Sequence, residues 1–429
     1  MTVLPTSIAR VTPADKSYRL LRSTYTAHHS PAEILLPRSP AEVSRALTYA
    51  AATSGPVSVR SGGHGLSGAS SNDGGVVIDL GRLNEVTVLD RAARLVRVGA
   101  GARWAEVAAA LAPHRLAISS GDHGNVGVGG LATAGGLGWL VRTYGLTVDH
   151  VQGATVVLPS GEVVRADRSS PDLLWAVRGA GSYVGVVTDL DIEAMDLPGL
   201  HVGQLAIEVD GEGAALHRWS RLLAEAPREL TMSGILTSDH AGRLVLALTA
   251  VVATADARAA DAALAPFLGS RGHQVGRLGR AGYSDLMPSA HLHPNVGQQP
   301  VASTNALLER LSPASAHALV GIARHPARPL VQVRGIGGAA NDIAADATAY
   351  AHRSGEVLVS TALFPPQGMA ELSAAVAPLW EHAVGAYRNF ESHPSTVTFD
   401  RAFPGATGRR VRELAHRYDP DGLLRRAHT

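Results

Sequence analysis

A chain of 429 residues with 38 Lys+Arg against 37 Asp+Glu has a formal net charge of +1, and so gives no electrostatic reason to expect nucleic acid or an anionic membrane as a partner. It contains no cysteine and one lysine, Lys16, in the polar stretch Pro13-Ala14-Asp15-Lys16; disulfides, cysteine-ligated metals, cysteine nucleophiles, P-loop nucleotide sites and pyridoxal-phosphate chemistry are therefore excluded. With 45% hydrophobic and 17% charged residues, against a usual charged share of about 25%, it reads as a globular protein of two or three domains.

The first thirty residues show no basic start followed by an apolar core and no twin arginine, which makes cytoplasmic the expected location. Ser39-Pro40-Ala41-Glu42 has capping-box spacing with proline at the first helical position, and predicts a helix ending near Gly55. Short strands are predicted at 56–59, 76–78, 86–88, 95–98, 155–158 and 163–165, with helices over 104–111 and 172–177 between them. The run 125–141 is uncharged, but six of its seventeen residues are glycine, so it reads as a buried glycine-rich turn and helix and not as a membrane span. After Pro198-Gly199 the texture changes to strands (204–209, 244–252) alternating with alanine-rich helices (214–226, 255–268). The tail from Trp380 returns to loops and a last helix, 409–417, stopped by Tyr418-Asp419-Pro420. The expected organisation is α+β, with domains at 1–196 and 197–372 and a C-terminal segment, 373–429.

Two glycine-rich stretches, 60–68 and 121–138, carry the first chemical signal, because glycine at this density lets backbone N–H groups approach an anion such as a dinucleotide phosphate. Each taken alone is equally compatible with a tight turn. Gly127-Val128-Gly129-Gly130-Leu131-Ala132 satisfies G-x-G-x-x-A, with Asp149 twenty residues beyond Gly129, but a polar loop precedes it where a dinucleotide fold needs a strand. His64 stands between Gly63 and Gly65, inside the first stretch, where an imidazole can reach a cofactor.

Taken in order, these and later motifs resemble the flavoprotein oxidases of the vanillyl-alcohol oxidase (PCMH-type) fold, and within them the berberine-bridge-enzyme-like group. The matching residues are Arg60-Ser61-Gly62-Gly63-His64; Val98-Gly99-Ala100-Gly101-Ala102-Arg103-Trp104; Val126-Gly127-Val128-Gly129-Gly130 with Gly135-Gly136-Leu137-Gly138-Trp139-Leu140; Tyr144-Gly145-Leu146; Asp172 to Gly179 leading to Gly185-Val186-Val187-Thr188; Tyr387-Arg388-Asn389-Phe390; and Tyr418-Asp419-Pro420. The resemblance covers about residues 30–195 and 335–429 and is loose from about 200 to 330.

The resemblance implies a PCMH-type FAD-binding domain, completed by the C-terminal segment, and a substrate domain whose antiparallel sheet, covered by helices, lies over the flavin. It places FAD against Arg60, Ser61, Gly62, Gly63, His64, Gly65, Leu66, Gly121, His123, Val126, Gly127, Gly130, Gly136, Gly185, Val187, Tyr387 and Asn389, with a covalent bond from His64 to the flavin 8α-methyl. Many members add a second bond from a cysteine before the Val-Gly-Val-Gly-Gly run; this chain has His123 there, so no cysteinyl bond forms. A further departure is Ser182-Tyr183-Val184 in place of the common Gly-Asn-Phe.

Tyr387 matches the tyrosine that sugar-oxidising members are thought to use as base; it either takes the substrate's proton, its phenol lowered from about 10 by arginine or flavin, or only packs on the ring. Leu330-Val331-Gln332-Val333-Arg334-Gly335 alternates so that Gln332 and Arg334 share a face, substrate-binding if it looks toward the flavin and merely solvated if it looks out. His291 and His293 have chelating spacing without a third ligand, so no metal is expected. The expected activity is hydride transfer from a small organic molecule, a secondary metabolite or sugar-like compound, to FAD and then to O2. A dehydrogenase, a redox-neutral cyclase and a non-catalytic flavin-binding module share the same motifs. Near-absence of lysine beside abundant alanine and arginine fits a GC-rich bacterial genome.

Overall fold

A computed structural model describes residues 6–269, 272–287 and 300–424; His291 and His293 lie outside the described residues. The chain is α+β and is built in three layers. A four-stranded sheet comes first, in the order Ala9–Val11, Glu33–Leu36, Val76–Asp79, Val57–Arg60, with parallel pairing among the last three strands. Parallel pairing needs a crossover, and the predicted helix supplies the one between Glu33–Leu36 and Val57–Arg60. It runs over Pro40–Ala51 and lays Val43, Ala46, Leu47 and Ala50 on Leu35, Val57 and Ile78. Ser39 caps it by accepting from the Glu42 N–H at 3.2 Å, while the Glu42 carboxylate reaches the Arg38 N–H, one residue outside the expected capping box.

A second, antiparallel sheet of five strands follows, ordered Val86–Asp90, Leu95–Gly99, Val186–Glu193, Val151–Val157, Val163–Ala166. One face carries Val96, Val98, Ala154, Val156, Leu190 and Ile192 into a core shared with the helices Trp104–Leu111 and Pro171–Ala180. The opposite face pairs Arg97 and Arg165 with Asp189 and Asp191, as a solvated sheet face does.

The third layer is one antiparallel sheet of seven strands, ordered Gly272–Ala281, Leu200–Glu208, Leu244–Val252, Leu230–Ser238, Leu330–Gly335, Val357–Leu363, Ala302–Leu308. Four helices cover one of its faces: Ala214–Glu225, Ala257–Leu264, Pro313–Ala323 and Met369–Trp380. Residue 372 falls inside the last of these, which buries Leu372, Val376 and Leu379 under the sheet, so the chain leaves this layer only after Trp380. The other face looks onto the first two layers, where Leu307, Leu358 and Ile336 meet Leu137, Val141, Leu146 and Tyr387. Helix Gly405–Tyr418 then returns to the five-stranded layer, with Phe403, Val411 and Leu414 beside Trp175 and Val187.

Two buried arginines fasten the layers. Arg142 donates to the carbonyls of Leu230, Ile336 and Ala226 at 2.8–3.2 Å. Arg353 holds both carboxylate oxygens of Asp149 at 2.7 and 3.0 Å, with both side chains 4% exposed. Removing one member of such a pair strands the other charge in a low dielectric. Arg353→Met is therefore expected to lose about 3 kcal/mol of stability, read as a lowered urea midpoint with an unchanged slope. No helix among the described residues is long and apolar enough to cross a membrane.

Candidate functional site

The two glycine stretches meet face to face. Strand Val57–Arg60 ends in a turn, and its Gly62 lies so close to Gly127 that a Cβ on Gly62 would stand 2.3 Å from the Gly127 nitrogen. Ser61 ties the turn down, donating to the Ala100 carbonyl at 2.6 Å and accepting from the Gly129 N–H at 3.2 Å. Gly63 has φ +70°, which an L side chain resists. Gly65 and Gly130 are glycines of another kind, because a Cβ there would meet nothing within 4 Å: their backbones border open space.

That space is a cavity of about 380 Å³. Val57, Val59, Leu80 and Leu424 line it, as do the glycine turns, Val186, Val187 and the Tyr387–Glu391 segment. Of the residues expected at a cofactor, Ser61, Gly62, Gly63, His64, Gly65, Leu66, Gly121, His123, Val126, Gly127, Gly130, Gly185, Val187, Tyr387 and Asn389 all line it. Arg60 and Gly136 do not. The Arg60 guanidinium is buried, donating to Asp79 at 2.6 Å and to the Ser23 carbonyl, so it braces the strand under the turn. Gly136 acts one step removed, through a backbone N–H given to the Tyr387 hydroxyl.

The G-x-G-x-x-A spacing does not mark a dinucleotide fold of the parallel type. Helix Val128–Ala132 follows a loop, and Asp149, the residue a ribose would need, is the partner of Arg353.

His64 lies with its ring stacked on Tyr25, centroids 4.6 Å apart, and 5.5 Å from the ring of His123. Tyr387 is buried; its hydroxyl oxygen accepts from the Gly136 N–H and the Asn389 side-chain amide, both at 3.2 Å. Burial pushes its phenol above the ordinary value, with the two hydrogen bonds and Arg388 working the other way, so in the free protein it is neutral where a lowered phenol was expected. Asn305 grips the Tyr387 backbone from strand Ala302–Leu308, accepting from its N–H at 2.7 Å and donating to its carbonyl at 3.0 Å.

Gln332 and Arg334 share a face as the alternation implied, and that face looks inward, while Val331 and Val333 enter the helix-covered core. Neither borders the cavity directly. Arg334 donates to Asp122 at 3.0 Å, to Ser360 at 2.9 Å and to Gln332 at 3.1 Å, and lies over the Phe390 ring at 4.9 Å.

Sequence reasoning missed Asp122, Asn305 and Glu391. Asp122 stood beside His123 in Gly121-Asp122-His123-Gly124 and signalled nothing without Arg334, 212 positions away. Glu391 is a buried carboxyl, pushed up by desolvation and accepting from Thr304 and Asn305. The unusual Ser182-Tyr183 has a visible role: Ser182 accepts from Arg388 at 2.9 Å and the Tyr183 ring lies 4.8 Å under its guanidinium.

A family model for an FAD-binding domain matches residues 31–167. (R)-6-hydroxynicotine oxidase of Paenarthrobacter nicotinovorans is 37% identical over 189 residues, which are 43% of this chain and 41% of that protein. The sequence match thus spans less than half the length of that relative. In three dimensions the similarity covers nearly everything. A chitooligosaccharide oxidase superposes with a TM-score of 0.87 at 22% identity, over 99% of this chain and 97% of the other. A glucooligosaccharide oxidase from Acremonium strictum, described with 6-S-cysteinyl, 8α-N1-histidyl FAD, gives 0.86 at 21% identity over 97% and 95%. The N-terminal part of the chain is an FAD-binding domain of PCMH type, and the whole has the fold of the berberine-bridge-enzyme-like oxidases.

FAD fits what is present: two wall glycines with no side chain to fill the space, a cavity of about 380 Å³ lined by valines and leucines, and an imidazole among its lining residues. A cysteinyl bond does not fit, since position 123 is histidine and the chain has no cysteine. Gly62→Ala is expected to force the two turns apart and leave the purified protein without the visible absorbance of bound flavin.

Proposed function

We propose that this chain is an FAD-dependent oxidase acting on a small organic molecule, with FAD held through a single covalent bond at His64. FAD supplies a two-electron acceptor for hydride and a route for those electrons to O2, giving H2O2. The observation that carries the reading is one cavity that joins the glycine turns, His64 and Tyr387. The FAD-binding domain supports the cofactor, and similarity to oxidases along the chain supports the reaction class.

The chain's own groups have separate tasks in this reading. The paired turns hold the dinucleotide, and the seven-stranded sheet packs behind Tyr387 through Leu307 and Leu358. Tyr387, fixed at its backbone by Asn305 and at its oxygen by Gly136 and Asn389, meets the hydroxyl or amino group whose carbon loses hydride, and takes the proton from it. Arg334 and Gln332 order the substrate side of the site through Asp122 and Ser360.

The test is a screen of the purified yellow protein for H2O2 release with chito-, xylo- and glucooligosaccharides and with (R)-6-hydroxynicotine, the compounds named for its relatives. At least one compound or a close analogue is expected to bleach the flavin without air and release H2O2 with air. Bleaching followed by slow recolouring in air would make the protein a dehydrogenase; a protein purified without flavin would remove the reading altogether.

A further inference from the structure

Strand Ala302–Leu308 is the last in the seven-stranded sheet, so Ser303, Asn305 and Leu307 turn their backbone N–H and C=O groups toward a free edge. Buried groups of this kind need partners, and the C-terminal segment supplies them. At Leu307 the partners are backbone: its N–H donates to the Gly385 carbonyl at 2.9 Å and its carbonyl accepts from the Val384 N–H at 2.8 Å. At Ser303 the N–H donates to the Ser392 hydroxyl at 2.8 Å and the carbonyl accepts from the Ser392 N–H at 3.0 Å. Between these two points the segment leaves the ladder, in a short helical turn, Arg388–Phe390, that lines the cavity.

Side chains close that gap. The Asn305 N–H donates to the Glu391 carboxylate at 3.3 Å, and its carbonyl accepts from Arg401 at 2.6 Å. The Asn305 amide stands in for a strand partner of Tyr387, accepting from its N–H at 2.7 Å and donating to its carbonyl at 3.0 Å. The same amide nitrogen also donates to Glu391 at 2.8 Å. Thr304 adds a hydroxyl donor to Glu391 at 3.0 Å, and Arg401 lies 4.0 Å from it. An ionised carboxylate only accepts, so an Asn305 amide turned end for end would set oxygen against oxygen at Glu391 and N–H against N–H at Tyr387. Asn305 is 0% and Glu391 6% exposed, so bulk water does not relieve such a mismatch.

We propose that Glu391 is a positioning residue for Tyr387: by fixing which end of the Asn305 amide faces the Tyr387 backbone, it sets where the phenol stands at the cavity. This rests on the reading of Tyr387 as the group that meets substrate. Placement of the backbone is what lets the hydroxyl meet the Gly136 N–H and the Asn389 amide together, each at 3.2 Å. The clamp spans two layers, since Asn305 belongs to the covering sheet while Glu391 and Arg401 belong to the returning C-terminal segment.

The phenol can be followed without turnover. Tyrosine is replaced by meta-fluorotyrosine in the FAD-loaded protein, and of the nine tyrosine signals the one missing from Tyr387→Phe is that of Tyr387. Asn305→Ala and Glu391→Met are each expected to move or broaden this fluorine signal while most of the others stay in place. Glu391→Gln, which keeps an acceptor oxygen for the Asn305 amide, is expected to hold it at the wild-type position. In Asn305→Ala/Glu391→Met the displacement is expected to match that of Asn305→Ala alone, because Glu391 then has no amide to hold. On any substrate found, Glu391→Met is expected to reduce its flavin about 100-fold more slowly at saturation, the cost of roughly 1 Å of misplacement. A Tyr387 signal unmoved in Asn305→Ala or Glu391→Met, a Glu391→Gln signal displaced as far as that of Glu391→Met, or displacements that add in the double variant would each overturn the proposal. Should Asn305→Ala not fold, Glu391→Met against Glu391→Gln still decides. Turnover unchanged by Tyr387→Phe would instead remove the reading of Tyr387 as base, a result distinct from any movement of its signal.

Discussion

The His64→Ala protein is expected to give up all of its flavin when precipitated in acid, whereas the wild type keeps its colour on the polypeptide. The expectation is all or none because the chain offers no second anchor: it has no cysteine, and position 123, beside the glycine turn, is histidine. FAD itself should still bind, since most of the cavity wall is made by Gly62, Gly127 and other residues besides His64. The variant is therefore expected to be yellow before acid and colourless after it, with a lower flavin midpoint potential because the electron-withdrawing bond is gone. His123→Ala serves as the comparison and is expected to keep acid-stable flavin. Flavin retained by His64→Ala, or lost equally from the wild type, would remove the covalent bond while leaving the fold untouched.

Tyr387→Phe is expected to lower kcat/KM by about 10²–10⁴-fold on any substrate found, the range typical of a lost general base. The pH dependence sharpens the assignment. Burial raises the phenol, so only a small fraction is phenolate near neutrality, and the wild-type rate should climb about tenfold per pH unit while that fraction grows. The phenylalanine protein should lose the climb as well as the rate. Because Asn305 holds the residue at its backbone, the ring should keep its place against Phe390 when the hydroxyl is removed. Turnover unchanged across the pH range would remove Tyr387 as base and leave it a wall of the cavity.

What could be read along the chain was local. The helix after Ser39, the strand leading into the glycine turn, the hairpin of Val151–Val157 with Val163–Ala166 and the last helix all follow from caps, alternation and stop signals within a dozen residues. The glycine turns were legible for the same reason. His64 became conspicuous only because glycine flanks it. What could not be read were the charges. Asp149 had the spacing of a ribose ligand, yet its fate was fixed by Arg353, 204 positions on. Asp122 and Arg334 are meaningful only together, and the phenol of Tyr387 depends on Gly136, 251 positions earlier. Electrostatics inside a protein is set by burial and by which distant groups meet, and neither has a period. Asn305 was invisible on similar grounds, a lone amide in an apolar strand whose use lies in gripping the Tyr387 backbone.

The cavity takes its walls from almost the whole span of the polypeptide, from Tyr25 through His64, Asp122 and Val187 to Tyr387 and Leu424. During synthesis on a ribosome the first glycine turn, 60–68, emerges more than 300 residues ahead of the wall made by Tyr387 to Glu391 and Leu424. The nascent N-terminal part can fold as its own sheets and helices, domain by domain. Its chamber stays open on one side until the segment from Tyr387 to Glu391 has been made, so a chain that stalls or is clipped before Tyr387 lacks a wall of the cavity.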